Sequence, residues 1–398
     1  MNKTIYLDNA ATTKMSRTAI DAMTPYFDKI YGNPSSLHSI GQTAAEALYD
    51  ARRRVARCIG AEPNEITFTS GGSEADNQAI ISAARNGERK GKKHIISTAI
   101  EHHAVLHTLK KLEKEGFDIT LLGVGEDGTV KPEQVKDAIR PDTCLVTVMI
   151  ANNEIGTIQP VKEIGEICRA SGVPFHTDAV QAAGHLHIDV VEQNIDMLSV
   201  SAHKFHGPKG TGFLYAKKGT RLTNIIEGGA QEKGKRAGTE NIPAIMGMAA
   251  AFEEACAHID ENEKKLTAMR DRLISELSKI PHSVLNGDAE KRLPGNVNFC
   301  FEGIEGESLL LLLDDKGVCA SSGSACTSGS LDPSHVLLAI GRPHEIAHGS
   351  LRLSLCEENT DEEIDYTIKA VGEVVSYLRN MSPVWRDLVS GKREFITK

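Results

Sequence analysis

Between Glu65 and Tyr215, short β-branched and aromatic runs alternate with longer amphipathic ones, and nothing else in the 398-residue chain limits its fold so strongly. Strands are expected at Glu65–Thr69, His94–Thr98, Asp118–Leu122, Cys144–Met149, Val173–His176, Met197–Ser201 and Gly212–Tyr215. Helical patterns separate several of them. Examples are Ala104–Glu115, where Leu106, Leu109 and Leu112 share a face, and Val161–Ala170. This alternation predicts an α/β fold with a seven-stranded, mostly parallel sheet covered by helices. After Gly238 a long helix, Pro243 to about Leu277, leads into a different pattern. Strands Asn296–Phe301, Gly317–Ala320 and Leu351–Leu355 there alternate with helices Gly306–Leu313, Pro333–Ile340 and Asp361–Leu378, which predicts a smaller α+β domain hinged on the long helix.

Charge and composition remove several classes of function. With 45 basic and 54 acidic side chains the net charge is −9. The basic footprint that holds phosphate backbones is missing, so nucleic acid is not an expected partner. No apolar run approaches the ~20 residues that span a bilayer. The longest leucine tract, Leu309 to Leu313, ends at Asp314 and Asp315, and no membrane association is expected. The opening residues lack the apolar stretch of a secretory signal, which points to the cytoplasm. Eight cysteines are spread from Cys58 to Cys356 without a Cys-x-x-Cys pair. Neither a metal site nor a disulfide framework is expected from that spacing, and most of these thiols should be small buried apolar groups.

Three segments deliver chemistry to strand ends. Thr69-Ser70-Gly71-Gly72-Ser73 runs from a strand through two glycines into a helix, where free N–H groups and the positive end of the helix dipole suit a phosphate. A plain capping turn is the competing reading, since Ser73 and Asp76 also fit a cap. Val173 to Gln181 is an apolar strand that presents Asp178 at its carboxyl end with Gln181 three residues on; a simple Asp cap competes here. Met197 to Gly210 ends another strand in Ser201-Ala202-His203-Lys204 and stops in a Gly207-Pro208 turn. A lysine held at that edge can form a Schiff base with an aldehyde. A helix start for phosphate, a carboxylate for a pyridinium nitrogen and a lysine for an aldehyde together suit pyridoxal phosphate. His102, just after the strand His94–Thr98, can lie over the ring as stacking partner and proton carrier, or be a helix-start histidine without a ligand.

Two further segments stand apart from this set. Ser321 to Ser330 contains five serines and two glycines around Cys326, the composition of a mobile, solvent-facing loop. A thiol there suits a nucleophile that must reach one site and then another; a tolerated surface cysteine is the alternative. Cys319, just before the loop, is expected to be packed. Arg352, in the alternating strand Ser350-Leu351-Arg352-Leu353-Ser354, offers a fork for a substrate carboxylate or for a structural ion pair.

These residues resemble those of the NifS/IscS-like cysteine desulfurases, pyridoxal-phosphate enzymes within the class V aminotransferase family. The likeness runs nearly end to end, from Tyr6-Leu7-Asp8-Asn9 through Gly32-Asn33-Pro34 and Ala151-Asn152-Asn153-Glu154 to the arginine strand. Ser201-Ala202-His203-Lys204 and Ser324-Ala325-Cys326-Thr327 are its most specific pieces, the latter similar to the long-loop subgroup. The resemblance implies the aspartate-aminotransferase fold type I, with a large domain over residues 16–258. Residues 1–15 and 259–398 would form a small domain carrying the catalytic loop at about 321–333. It implies Lys204 as Schiff-base lysine, Asp178 as pyridinium partner, Gln181 at the ring hydroxyl, His102 on the ring and Asn153 beside it. Gly72, Ser73, Ser201 and His203 would hold the phosphate, joined by Thr239 from the second subunit of a homodimer. Asn33 and Arg352 would clamp the carboxylate of L-cysteine, and Cys326 would take its sulfur and leave L-alanine. An iron–sulfur scaffold protein of the IscU/NifU kind would accept the sulfur. A β-lyase or aminotransferase on the same fold would not need Cys326. A thiol hydrolase or a sulfur-carrying scaffold would leave Lys204 and the Gly71-Gly72 turn without a role.

Overall fold

The computed structural model describes residues 4–322 and 333–397, so the proposed nucleophile Cys326 lies outside the described residues. Twelve strands are present among them: β1 (Ile5–Tyr6), β2 (Ile66–Thr69), β3 (His94–Thr98), β4 (Asp118–Leu122), β5 (Thr143–Thr147), β6 (Phe175–Asp178), β7 (Met197–Ser201), β8 (Gly212–Ala216), β9 (Ser283–Leu285), β10 (Asn296–Phe301), β11 (Val318–Cys319) and β12 (Ser350–Ser354). All the expected strands appear, with ends shifted by no more than about two residues. β1 and β9 are additions, too short to carry a periodic signal.

Seven strands form one sheet in the order β2-β8-β7-β6-β5-β3-β4. Only β8 runs antiparallel to its neighbours β2 and β7. The inner strands are buried along their whole length, which is why they read as continuous apolar runs rather than alternating ones. Helices Gly72–Glu88 and His103–Lys114 pack on one face with Ile80, Leu109 and Leu112. Helices Ser39–Cys58 and Ile242–Ala257 pack against each other on the large core that contains Val55, Phe175 and Phe252.

The long helix expected from Pro243 to Leu277 is two helices, Ile242–Ala257 and Ile259–Leu277. At His258 the backbone leaves the helical region (φ −114°, ψ 13°), and its Nδ1 lies 2.8 Å from the Glu254 carbonyl. The two halves serve different cores. The first is buried nearly all round in the large core, whereas the second turns Leu266, Met269, Leu273 and Leu277 into a separate cluster with Leu7, Phe299 and Leu353. That second core rests on the antiparallel sheet β12-β10-β9 and the parallel pair β1-β11. Cys319 is not packed as expected. It ends a two-residue strand paired only with β1, and its Sγ lies 3.7 Å from the Asp314 carboxylate at a partly exposed edge.

Candidate active site

The carboxyl ends of β6 and β7 lie side by side, with Asp178 in register with Ser199. After β7 the chain makes one turn of 3-10 helix, Ala202–Lys204, and reverses at Gly207. A Cβ on Gly207 would stand 2.8 Å from the Ala202 carbonyl, so this reversal requires glycine. The N-terminal segment locks the hairpin: Thr13 N donates to the His203 carbonyl at 2.9 Å, and Lys204 Nζ donates to the carbonyls of Ala10 and Ala11 at 2.5 and 2.9 Å. Gln181 Nε2 donates to the same Ala10 carbonyl at 3.0 Å.

Next to this hairpin, Gly71 takes φ 146° before the 17-residue helix that starts at Gly72. A Cβ on Gly72 would stand 2.5 Å from Val180, and the Ser201 side chain borders the same turn. First-turn N–H groups of that helix therefore open on the end of β7. From the other core, β12 brings in Arg352, only 2 % exposed. Its Nη2 donates to Asp8 at 2.9 Å and its Nη1 to the Asn153 carbonyl at 3.0 Å, while Nε–H is buried without a partner. Both readings of this arginine hold in part: it is ion-paired, and its remaining N–H groups, Nε–H among them, are left for a ligand.

One cavity of about 450 Å³ joins these groups. Gly72, Ser73, His102, Asn153, Asp178, Gln181, Ser201, His203, Lys204 and Arg352 all line it. Asn33 and Thr239 do not; both are exposed, and Asn33 Oδ1 accepts from Ser35 N at 2.9 Å. Asp76 is a lining residue that the sequence suggested only as a cap. It sits one helical turn after Gly72, on the face that buries Ala75, Ala79 and Ile80, and an acid at that period is the signal that could have found it.

Burial sets the charge states of this wall. Asp178 accepts from Val180 N at 2.8 Å, yet burial pushes it up to about 6. Asp76 is raised well above the usual carboxylate range by burial and by Asp178, and its Oδ1 has no hydrogen-bond partner. Burial, then the Lys204 charge, lowers His102 to about 4 and His203 to about 4. His102 is thus neutral, with Nδ1 accepting from Ala104 N at 3.1 Å, which leaves its proton on Nε2. His176 stands 3.7 Å from Asp76, but burial takes it down to about 3, so a neutral imidazole faces this acid and no ion pair forms.

Known proteins agree with this geometry. The family model for class-V aminotransferases matches residues 5–367. A "Cysteine desulfurase IscS" of Clostridium botulinum is 54% identical over 397 residues, 99% of this chain and 100% of that protein. Its counterpart of the same name in Methanosarcina thermophila is 55% identical over 96% of this chain and 95% of its own. Among solved structures, one titled a NifS-like protein superposes with a TM-score of 0.89 at 38% identity, covering 94% of this chain and all of that one. Another, titled SspA in complex with cysteine, gives a TM-score of 0.80 at 36% identity over 90% of this chain and 100% of that one. With its sheet order, its lysine hairpin and these full-length matches, the chain belongs to the class-V aminotransferase family, among the IscS/NifS-like cysteine desulfurases.

Proposed function

We propose that this enzyme binds pyridoxal 5'-phosphate in the cavity at Lys204 and converts L-cysteine to L-alanine, with the sulfur retained as a persulfide on Cys326. The observation that carries this reading is the meeting of Lys204, Asp178 and Arg352 around one cavity. The donor set fits the cofactor. The Gly72 helix start and Ser73, Ser201 and His203 suit its phosphate, Asp178 its ring nitrogen, Gln181 its hydroxyl, and His102 and Asn153 its ring. The orphaned Arg352 Nε–H and Asp76 Oδ1 mark polar capacity that the protein itself does not use.

When bound, the cofactor supplies an electron sink for the pair left on the substrate Cα. Arg352 binds the substrate carboxylate through its remaining N–H donors, with Asp8 and Asn153 holding the guanidinium in place. Lys204 Nζ takes the Cα proton, and neutral His102 carries a proton at Nε2. Asp178 keeps the ring nitrogen protonated, and a cation beside it would draw this acid back to its ionised form. The Cys326 thiolate attacks the substrate sulfur. The Cβ–S bond breaks, a proton is returned at Cβ, and L-cysteine plus the Cys326 thiol become L-alanine plus the Cys326 persulfide. Both flanks of the Cys326 segment are tied to the cavity wall, which favours its reaching the substrate. Ser321 exchanges backbone hydrogen bonds with Arg352, and Ser334 donates to Glu154, next to Asn153.

A homodimer completes this reading. Exposed Phe27, Tyr31, Leu37 and Tyr49 offer apolar surface for a second copy, and exposed Thr239 is free to serve the partner's phosphate site. We assign the persulfide to an iron–sulfur scaffold protein as acceptor and the reaction to the cytoplasm; no described helix is long and apolar enough to cross a membrane. The test is Cys326→Ala. It should keep the cofactor and its colour change with L-cysteine while alanine release falls to near background. Alanine release near the wild-type rate would leave a β-lyase in place of a desulfurase.

A further inference from the structure

Two residues beyond Lys204, the chain presents a histidine that the reaction does not use. His206 takes a left-handed backbone (φ 63°), a conformation rarely stored in a non-glycine residue without a local reason. The side chain is only 10 % exposed and its ring is fixed on one side, where Nδ1 lies 2.8 Å from the Lys14 carbonyl. That contact holds a proton on Nδ1 and turns Nε2 toward the end of β12. Cys356 and Glu357 wait there. A His206 ring nitrogen, the Cys356 Sγ and a Glu357 oxygen all lie within 4.8 Å of one another.

His206 Nε2 stands 3.2 Å from Glu357 Oε1, and although burial opposes it this carboxylate raises the imidazole above its ordinary range, yet Nε2 is buried without an aligned hydrogen bond. A carboxylate off the nitrogen axis at this distance matches two ligands of one tetrahedral ion, whose edge is roughly 3.3 Å for bonds of about 2.0 Å. A backbone carbonyl on the far ring nitrogen is the usual support of a metal-binding histidine. We propose that His206, Cys356 and Glu357 form a binding site for a borderline-soft divalent cation of the Zn2+ type, tying the lysine hairpin to the end of β12. Sulfur, imidazole and carboxylate together favour Zn2+ over Mg2+ or Ca2+. Binding releases the Cys356 thiol proton, and any proton on His206 Nε2, to solvent. His206 and Glu357 also line a cavity of about 470 Å³ with His185, His258, Glu261 and Lys265, whose Nζ donates to the Glu357 carbonyl at 2.6 Å, and this cavity has room for a water as fourth ligand. Sequence spacing hides this site, because His206 and Cys356 are far apart in the chain and no Cys-x-x-Cys pair announces it. It is independent of the desulfurase reading.

The test uses the full-length holoenzyme, stripped with a chelator and dialysed against buffered ZnCl2, with bound metal measured directly. Wild type and Cys326→Ala should each hold one Zn2+ per chain, with one sulfur neighbour at about 2.3 Å by X-ray absorption. Cys356→Ala and Glu357→Gln should bind it on the order of 100-fold more weakly while keeping the wild-type cofactor absorption. Zn2+ should raise the melting midpoint of wild type but not of Cys356→Ala. Metal lost with Cys326→Ala, metal retained by both Cys356→Ala and Glu357→Gln, or no Zn2+ in wild type would each overturn the site and leave a His–Glu contact between the two cores.

Discussion

The two walls of the active-site cavity are held in opposite electrostatic states. On the wall built by the large sheet, burial drives acids and bases alike toward neutrality: Asp178 rises to about 6 and His102 falls to about 4, and the buried Glu101 and His176, which adjoin this wall without lining the cavity, move to about 8 and about 3. On the wall contributed by β12, Arg352 is ion-paired with Asp8 at 2.9 Å. The difference separates two tasks. The first wall is set to change protonation when a charged cofactor arrives, and the second offers a standing cation for a substrate anion.

Removing the amine from the first wall should have the largest effect. Lys204→Ala is expected to lower alanine formation by at least about 10^3-fold, as loss of a general base commonly does, and to abolish the borohydride-reducible link to protein. A stable cofactor–lysine adduct in that variant would move the assignment elsewhere. Asp178→Asn should retain part of the cofactor but slow alanine formation by about 10^2-fold, because an amide cannot hold a ring nitrogen protonated. An unaltered rate would remove Asp178 from that role. On the second wall Arg352→Lys should act mainly through KM, raising it about 10- to 100-fold, the worth of one charge-assisted fork. A fall in kcat at constant KM would mean that Arg352 serves the architecture rather than the substrate.

How far this contrast can be read from sequence follows from where each residue lies. Asp178 and Ser201 each end a strand, and His203 and Lys204 follow within one turn, so the strand pattern alone assigns them to one sheet edge. Gly71 and Gly72 are visible for the same reason. The second wall is hardly legible. Arg352 meets Asp8 and Asn153 across long stretches of chain, and β1, which leads into Asp8, is too short for periodicity to register. Asp76 looks like a cap until the face of its helix is known, and Glu101 looks like a loop acid although it is fully buried. The break at His258 is silent because both halves are good helix formers; only their allegiance to different cores separates them. Asn33 and Thr239 can be read only through family likeness, since neither reaches the cavity of its own chain.

The smallest expected effect tests the contrast without touching catalysis. Thr98 Oγ1 and Met149 N donate to one oxygen of Glu101, at 2.7 and 3.1 Å, while the other is buried without a partner. The folded state therefore holds the Glu101 proton more tightly than the unfolded chain, where the group has a pKa of about 4.3. The stabilisation from that proton is complete below the unfolded value and is lost as pH rises through about 8. Glu101→Gln cannot ionise and keeps the two accepted hydrogen bonds, although its amide N–H2 lacks an acceptor. The variant should match wild type at low pH and gain on it by about 1–2 kcal/mol once the carboxylate ionises, a fraction of the bare pKa shift because buried charges relax their surroundings. Melting midpoints across the acid-to-alkaline range read this directly, and a pH-independent difference would sink it. Asp8→Asn on the opposite wall should behave the other way. It leaves buried Arg352 facing a neutral amide and should lower the midpoint at neutral and alkaline pH alike. Matching pH profiles for the two variants would erase the distinction between a wall that titrates and a wall that stays charged.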